Sequence, residues 1–383
     1  MNVPKLRFKE FTDEWKNIKL QKIISIYKEQ STIENQYPML TSSKQGLVLQ
    51  KDYYSNNARI TNRSNIGYNV LPYGYITYRN RSDTGFFTFN INLKLKKGLI
   101  SYFYPVFSLK NSNEYFLVNL LNTKYQFKMY AISEGTSQKV LSIANLKNLK
   151  VLYPSLEEQN KIANFLTTVD KKITNLENTI TSLENQKKGL LQQIFSQKLR
   201  FKDKNGNNYP NWEKKKLEDI AIFLDNKRKP LEQSERIHGK YPYYGASGII
   251  DYINDYIFDE ELVLLSEDGA NIIDRNYPIC YIATGKYWVN NHAHVLKVKS
   301  QYVNKFICES LEQLNYTKYN TGTAQPKLNQ DVCRKIILSI PCLEEQTKIA
   351  NFLSTFDRKL ENQKAQLEHW KQIKKGLLQQ MFV

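Results

Sequence analysis

Leu156-Glu-Glu-Gln-Asn-Lys-Ile-Ala-Asn-Phe-Leu-Thr-Thr-Val-Asp-Lys-Lys-Ile173 returns in the same chain as Leu343-Glu-Glu-Gln-Thr-Lys-Ile-Ala-Asn-Phe-Leu-Ser-Thr-Phe-Asp-Arg-Lys-Leu360. Lys187-Lys-Gly-Leu-Leu-Gln-Gln-Ile-Phe195 returns as Lys374-Lys-Gly-Leu-Leu-Gln-Gln-Met-Phe382. Both offsets are 187 residues (343 − 156 and 374 − 187), so the whole segment is duplicated without net insertion. Such a chain can present two similar faces related by a pseudo-two-fold, an arrangement suited to a DNA duplex.

Each copy carries a 3.5-residue apolar period. In the first, Ile162, Leu166, Val169, Ile173, Leu176, Ile180, Leu183, Lys187, Leu190 and Ile194 alternate spacings of four and three. In the second, Ile349, Leu353, Phe356, Leu360, Gln363, Leu367, Trp370, Lys374, Leu377 and Met381 do the same. A period kept over more than four heptads is a coiled-coil seam, here about 48 Å long at about 1.5 Å per residue. Ser155-Leu-Glu-Glu158 after Pro154 is a capping box that starts the first helix. The simplest partner for each seam is the other, antiparallel; the alternative is a helix of another chain.

The duplication extends outward. Leu6-Arg-Phe-Lys9 returns as Leu199-Arg-Phe-Lys202, Trp15 as Trp212, and Gly135-Thr-Ser-Gln138 as Gly322-Thr-Ala-Gln325. The expected order is a globular domain over 1–154, a long helix over 155–197, a second globular domain over 198–341 and a second long helix over 342–383. The globular parts diverge in sequence and read as mixed α/β. Tyr73–Tyr78, Leu99–Leu109, Leu262–Leu265 and Tyr277–Ala283 have strand composition, and Glu114–Tyr130 and Gln301–Leu314 read as helices.

Lys plus Arg number 55 against 37 Asp plus Glu, a formal charge of +18 in 383 residues. That excess favours a polyanionic partner, because neutralised phosphates release counterions. Cys280, Cys308, Cys333 and Cys342 form no Cys-x-x-Cys pair, so neither zinc spacing nor a disulfide framework is indicated and a reducing, cytoplasmic setting is expected. No apolar run approaches membrane-spanning length, and no membrane partner is expected.

Signatures of catalysis are missing. There is no Gly-x-Gly-x-x-Gly after a strand, no phosphate loop, no His-Glu-x-x-His and no Gly-x-Ser-x-Gly. Leu71-Pro-Tyr73 lacks the Asn/Asp-Pro-Pro-Tyr core of an amino-methyltransferase. His292 and His294 are the only close histidine pair, but alternate residues of a strand face opposite ways, which argues against a shared metal. No catalytic or metal-binding residue is expected.

The repeated Leu-Glu-Glu-Gln-x-Lys-Ile-Ala-x-Phe-Leu openings, the Lys-Lys-Gly-Leu-Leu-Gln-Gln endings and the paired Leu-Arg-Phe-Lys…Trp lead-ins together resemble the specificity subunit of type I restriction–modification systems. Tyr241-Pro-Tyr-Tyr-Gly-Ala-Ser-Gly-Ile-Ile250, Leu262-Val-Leu-Leu-Ser-Glu-Asp-Gly-Ala270 and Val289-Asn-Asn-His-Ala-His294 are similar to stretches of that family's recognition domains. The resemblance implies an α+β chain of two target-recognition domains joined by two long helices paired as an antiparallel coiled coil. Each domain would read one half of a bipartite site in double-stranded DNA. The resemblance further implies two methyltransferase subunits and restriction/translocase subunits as partners. It leaves S-adenosylmethionine, ATP and Mg to those partners, with no cofactor on this chain.

Within that frame the expected DNA-binding residues of the first domain are Ser42, Ser43, Lys44, Gln45, Arg79, Asn80 and Arg81, with Thr136 and Gln138 in a backbone-contacting loop. Those of the second are Tyr244, Ser247, Glu267, Asp268, Asn271, Asn291 and His292, with Thr323 and Gln325 in the matching loop. Two other readings stand beside this one: a self-contained DNA-modifying enzyme with degenerate motifs, and a coiled-coil assembly protein that binds nucleic acid without sequence preference.

Overall fold

The computed structural model describes residues 2–43, 46–53, 64–322 and 325–383. The chain divides into two units, Met1–Glu177 with Ala365–Val383, and Asn178–Lys364. Although their sequences diverge, both are built on the same sheet. In the first unit the strands lie in the order Ile24–Tyr27, Val106–Leu109, Ile76–Tyr78, Phe89–Ile91, all antiparallel. In the second the order is Ala221–Phe223, Ala293–Val298, Leu262–Ser266, Cys280–Ala283, again antiparallel. A helix packs on each sheet, Glu114–Lys124 in one and Asn304–Glu312 in the other. A two-stranded ribbon then leads into each long helix, Lys16–Lys19 with Lys150–Tyr153 and Glu213–Lys216 with Ile337–Ile340.

Three expected elements are interrupted. Leu99–Leu109 becomes two strands, Lys97–Ile100 and Val106–Leu109, because a turn closed by Tyr104 N–H on Ser101 O (2.9 Å) precedes Pro105, which has no N–H to continue the ladder. Tyr73–Tyr78 shortens to Ile76–Tyr78 behind a turn in which Gly74 takes φ +81°. The helix over Glu114–Tyr130 splits into Glu114–Lys124 and Gln126–Ile132. Tyr125 at the break has ψ 6°, its ring is buried and its hydroxyl accepts from Leu152 N–H (2.7 Å).

The long helices run Leu156–Phe195 and Leu343–Gln380, and they pair with each other within the chain, antiparallel. In the first unit Lys374 reaches Asp170 (2.6 Å) and Lys371 reaches Glu177 (3.3 Å). In the second unit Lys187 reaches Asp357 (2.6 Å) and Lys364 reaches Glu184 (2.7 Å). Lys187–Asp357 and Lys374–Asp170 are one ion pair made twice, each partner displaced by the 187-residue repeat. This explains why lysine interrupts both seams at the same late position. The pair is elaborated differently in the two units: Lys305 and Glu309 join it in the second, whereas the Tyr115 hydroxyl donates to Asp170 in the first.

The expected seam residues lie on the covered side of both helices, with Ile162, Leu166, Val169, Leu176, Ile180, Leu183, Ile349 and Leu353 buried and Ile173, Phe356, Leu360, Leu367 and Trp370 half-buried. At their ends the helices merge into the domain cores. Met381 and Phe382 pack with Phe116, Ile162 and Leu166 in the first unit, and Leu191 and Ile194 with Ile349 and Leu353 in the second.

The capping box at Ser155 is only half made. Ser155 Oγ accepts from Glu158 N–H (3.3 Å), but the Glu158 carboxylate turns away from the helix end to a stronger partner. It accepts from Arg7 Nε and Nη2 (2.8 Å each) and from Trp15 Nε1 (3.2 Å). Glu345 does the same with Arg200 (2.8 and 2.7 Å) and Trp212 (3.0 Å). The next residue is equally committed: Gln159 accepts from Asn113 N–H (3.0 Å) and donates to Pro154 O (3.0 Å), and Gln346 accepts from Val303 N–H (3.0 Å) and donates to Pro341 O (2.9 Å). The repeated Leu-Glu-Glu-Gln motif is thus a joint that locks each long helix to its own domain.

Candidate nucleic-acid interface

Two segments expected to bear on DNA, 79–81 and 135–138, are far apart in the chain yet meet in the first unit. Arg79 and Asn80 follow the strand Ile76–Tyr78, and Arg81–Ser82 then pairs antiparallel with Lys139–Val140. Leu141 N–H donates to Asn80 O (2.9 Å), and Gln138 Nε2 donates to Asp83 Oδ1 (2.7 Å). Gly135 adopts φ +91°, and a Cβ there would stand 2.3 Å from Gln138 O, so the loop's glycine is required by its own backbone. Thr136 is exposed beside it.

The hairpin Leu40–Ser43/Gly46–Leu49 joins the same face, held by Asn90 Nδ2 donating to Ser42 Oγ (2.8 Å) and Ser43 O (3.1 Å). Lys44 and Gln45 lie outside the described residues. Ser42, Ser43, Arg79 and Arg81 line one cleft of about 450 Å³ with Tyr53 and Phe86. Arg81 lies over the Phe103 ring, 5.0 Å from its centroid, a stacking that holds the guanidinium plane.

The second unit repeats the construction. Glu267–Gly269 follow the strand Leu262–Ser266, Asp268 bridges to Lys327, Gly269 N–H donates to Pro326 O (3.0 Å) and Leu328 N–H donates to Glu267 O (2.7 Å). A Cβ on Gly322 would stand 1.8 Å from Gln325 O, the same requirement as at Gly135. Gln325 is exposed, and Thr323 lies outside the described residues. Glu267 N–H donates to His292 O (2.9 Å), and His292 Nδ1 donates to the Asp268 carboxylate (2.8 Å). Exposed Asn291 lends its carbonyl to Arg228 Nη1 (3.3 Å). The exposed Ser247 turn is tethered by Ser266 Oγ donating to Ala246 O.

Two expected residues serve other ends. Asn271 spends its side chain on Tyr277, accepting from its N–H (2.8 Å) and donating to its carbonyl (2.9 Å), so it staples a loop. Tyr244 stacks on Tyr281 (centroids 5.7 Å) and meets Tyr287 edge-on (5.5 Å), a half-buried ring in an apolar cluster. Burial raises the Tyr244 pKa.

Sequence patterns did not reveal the buried ion cluster beneath the second face. His294, on the strand Ala293–Val298, is buried, while His292, in the turn before that strand, is exposed. His294 Nδ1 meets Asp225 Oδ2 (2.6 Å) and Nε2 meets Leu328 O (2.8 Å). A carboxylate and a carbonyl can only accept, so both ring nitrogens carry protons and the group is an imidazolium. Arg228 donates to Glu267 (2.6 Å), Lys327 pairs with Glu267 (3.3 Å) and Gln330 donates to Asp225 (2.7 Å). Asp225, Glu267 and His294 bring three potential metal-ligand atoms within 4.8 Å of one another. Two side-chain cations and a doubly donating imidazole already satisfy that charge, and the cluster clamps the strand Ala293–Val298 to the segments around Asp225, Glu267 and Lys327.

Burial works against the charge on His294, but its hydrogen bonds to Asp225 and Cys333 outweigh burial and raise its pKa to about 10. Burial likewise pushes the Asp225 carboxyl up, and its hydrogen bond to His294 overcomes this to leave the pKa lowered. A histidine raised from its ordinary 6.5 contributes stability that is complete below that pH and lost as pH rises through about 10. The denaturant midpoint of the second unit is therefore expected to fall between pH 7 and 10. His294→Gln should lower stability by about 3 kcal/mol at pH 7 and flatten that fall; a variant with the wild-type slope would exclude His294 as its source.

Among the described residues, no helix is long and apolar enough to cross a membrane. Residues 12–185 and 209–369 match the family model described as the type I restriction modification DNA specificity domain. A Haemophilus influenzae protein named as a type I restriction enzyme specificity subunit is 38% identical over 139 residues; the match covers 36% of this chain and 36% of that relative's length. A type I restriction enzyme specificity subunit of Methanocaldococcus jannaschii is 24% identical over 318 residues, covering 74% of this chain and 73% of its own. The crystal structure of a type I restriction–modification system S subunit from M. genitalium shares the fold, with TM-score 0.66 over 100% of this chain and 99% of that one at 17% identity. With a family match that spans most of its length, the chain belongs to the DNA specificity family of type I restriction–modification systems.

Proposed function

We propose that this chain is the DNA-reading subunit of a type I restriction–modification complex, each unit reading one half of a bipartite site. One observation carries the reading: in both units the segment after one inner strand of the sheet is stitched, in the same register, to the Gly-Thr-x-Gln segment, giving a polar face built twice. The formal charge of +18 supports a polyanionic partner. The paired helices set the spacing and dock two methyltransferase subunits, and restriction/translocase subunits complete the assembly. S-adenosylmethionine, ATP and Mg act in those partners, the chain itself is not catalytic, and the complex works in the cytoplasm.

The purified chain alone should methylate no DNA, and with its methyltransferase subunit it should direct methylation to one bipartite sequence. Exchanging residues 1–154 for another recognition domain should rewrite one half-site only. Methylation by the isolated chain, or a change in both halves, defeats the proposal; binding of random duplex as tightly as cognate would instead favour a non-specific nucleic-acid-binding protein.

A further inference from the structure

The two faces share a backbone pattern and carry opposite charge at one position of it. Val140, just before buried Leu141, pairs with Arg81, and Lys327, just before buried Leu328, pairs with Asp268. The neighbouring bonds agree, Leu141 N–H to Asn80 O and Leu328 N–H to Glu267 O. Arg81 and Asp268 therefore hold one equivalent position in the two units. Resting on the DNA-reading function above, we propose that this position selects one base in each half-site: guanine for Arg81, and a base with a major-groove amino group, cytosine or adenine, for Asp268.

The chemistry separates the two cases. Arg81 is exposed, and among the described residues its guanidinium has no ion pair or side-chain hydrogen bond; its one side-chain contact of note is the Phe103 ring beneath it. A guanidinium so held presents a donor fork that matches O6 and N7 of guanine. Asp268 cannot be a phosphate contact, because like charges repel. Its oxygens share one His292 N–H (3.0 and 2.8 Å), which leaves lone pairs free to accept from an exocyclic amine. Lys327, the nearest cation across the bridge, is already paired with Glu267.

The test uses the full chain with its methyltransferase subunit on a library of randomised duplexes, reading methylated sequences. The wild-type complex comes first: failure to select any bipartite site would defeat the DNA-reading function itself. Given a wild-type site, Arg81→Ala and Arg81→Lys should each erase a guanine preference of about tenfold or more at one position of the first half-site. The second half-site should not change. Asp268→Asn and Asp268→Ala should alter one position of the second half-site only. Lysine keeps a phosphate contact but not the fork. If Arg81→Lys preserves the full consensus while Arg81→Ala weakens all sequences alike and lowers the salt slope by about one, Arg81 holds phosphate and the assignment falls. An unchanged second half-site in both Asp268 variants overturns it equally. Thermal midpoints of the four variants near the wild-type value are expected, since Arg81 is exposed and half-buried Asp268 gives up only its contact with exposed His292.

Discussion

Glu345→Ala is expected to destabilise the second unit by about 3–5 kcal/mol. Glu345 is fully buried and receives two hydrogen bonds from Arg200 and one from Trp212. Truncation leaves a largely covered guanidinium and an indole N–H without their acceptor, and the uncompensated charge is the larger penalty. Glu158→Ala removes the same joint from the first unit, where Arg7 and Trp15 converge on it. The contrast is Lys364–Glu184, whose side chains are 52% and 48% exposed; breaking it should cost less than about 1 kcal/mol. Urea denaturation of the three variants checks the ranking. A second check is the double change Arg200→Met with Glu345→Leu, which should recover part of the loss because an apolar pair needs no desolvation of charge. A Glu345→Ala variant within 1 kcal/mol of wild type would show that the joint is ornamental.

The parts legible from the sequence are those governed by local periodicity. Heptads place Ile162, Leu166 and Ile349 on a covered face without reference to anything distant, and the equal repeats pointed to the antiparallel pairing that Lys187–Asp357 and Lys374–Asp170 make twice. The shared sheet was hidden because its order joins strands out of sequence, and the sequences of those strands have diverged while the pattern of hydrogen bonds has not. The proposed reading faces were half legible. Turn composition pointed to 79–81 and 267–268, and the 187-residue repeat to 135–138 and 322–325, but only the ladders Arg81–Val140 and Asp268–Lys327 join the segments within each unit. Arg228, Asp225 and Asn90 carried no local signal, since each matters through a partner 39 or more residues away. Asn271 shows the reverse error: an asparagine in a polar turn is as well suited to bonding its own loop as to bonding a base.

Deleting residues 178–184 from the first long helix and 364–370 from the second is expected to shorten the gap between half-sites by about 3 base pairs and leave both half-site sequences intact. The two segments face each other in the pairing: Glu184–Lys364 is removed, and Glu177–Lys371 remains at the new junction. Each helix loses one seam pair, Ile180 with Leu183 and Leu367 with Trp370, so the apolar phase on either side is kept. Seven residues at about 1.5 Å shorten the rod by about 10 Å, and DNA rises about 3.4 Å per base pair. A heptad lies within about 20° of two whole helical turns, so the change is almost a pure translation of one helix end. DNA twists by roughly a third of a turn over 3 base pairs, given about 10 per turn, and methylation at the new spacing should therefore be weaker than at the old. Mapping methylated sites made by the shortened chain with its methyltransferase subunit decides the matter. A changed half-site would mean that the helices take part in reading bases, and an unchanged gap would mean that the spacing is set elsewhere than in the helix pair.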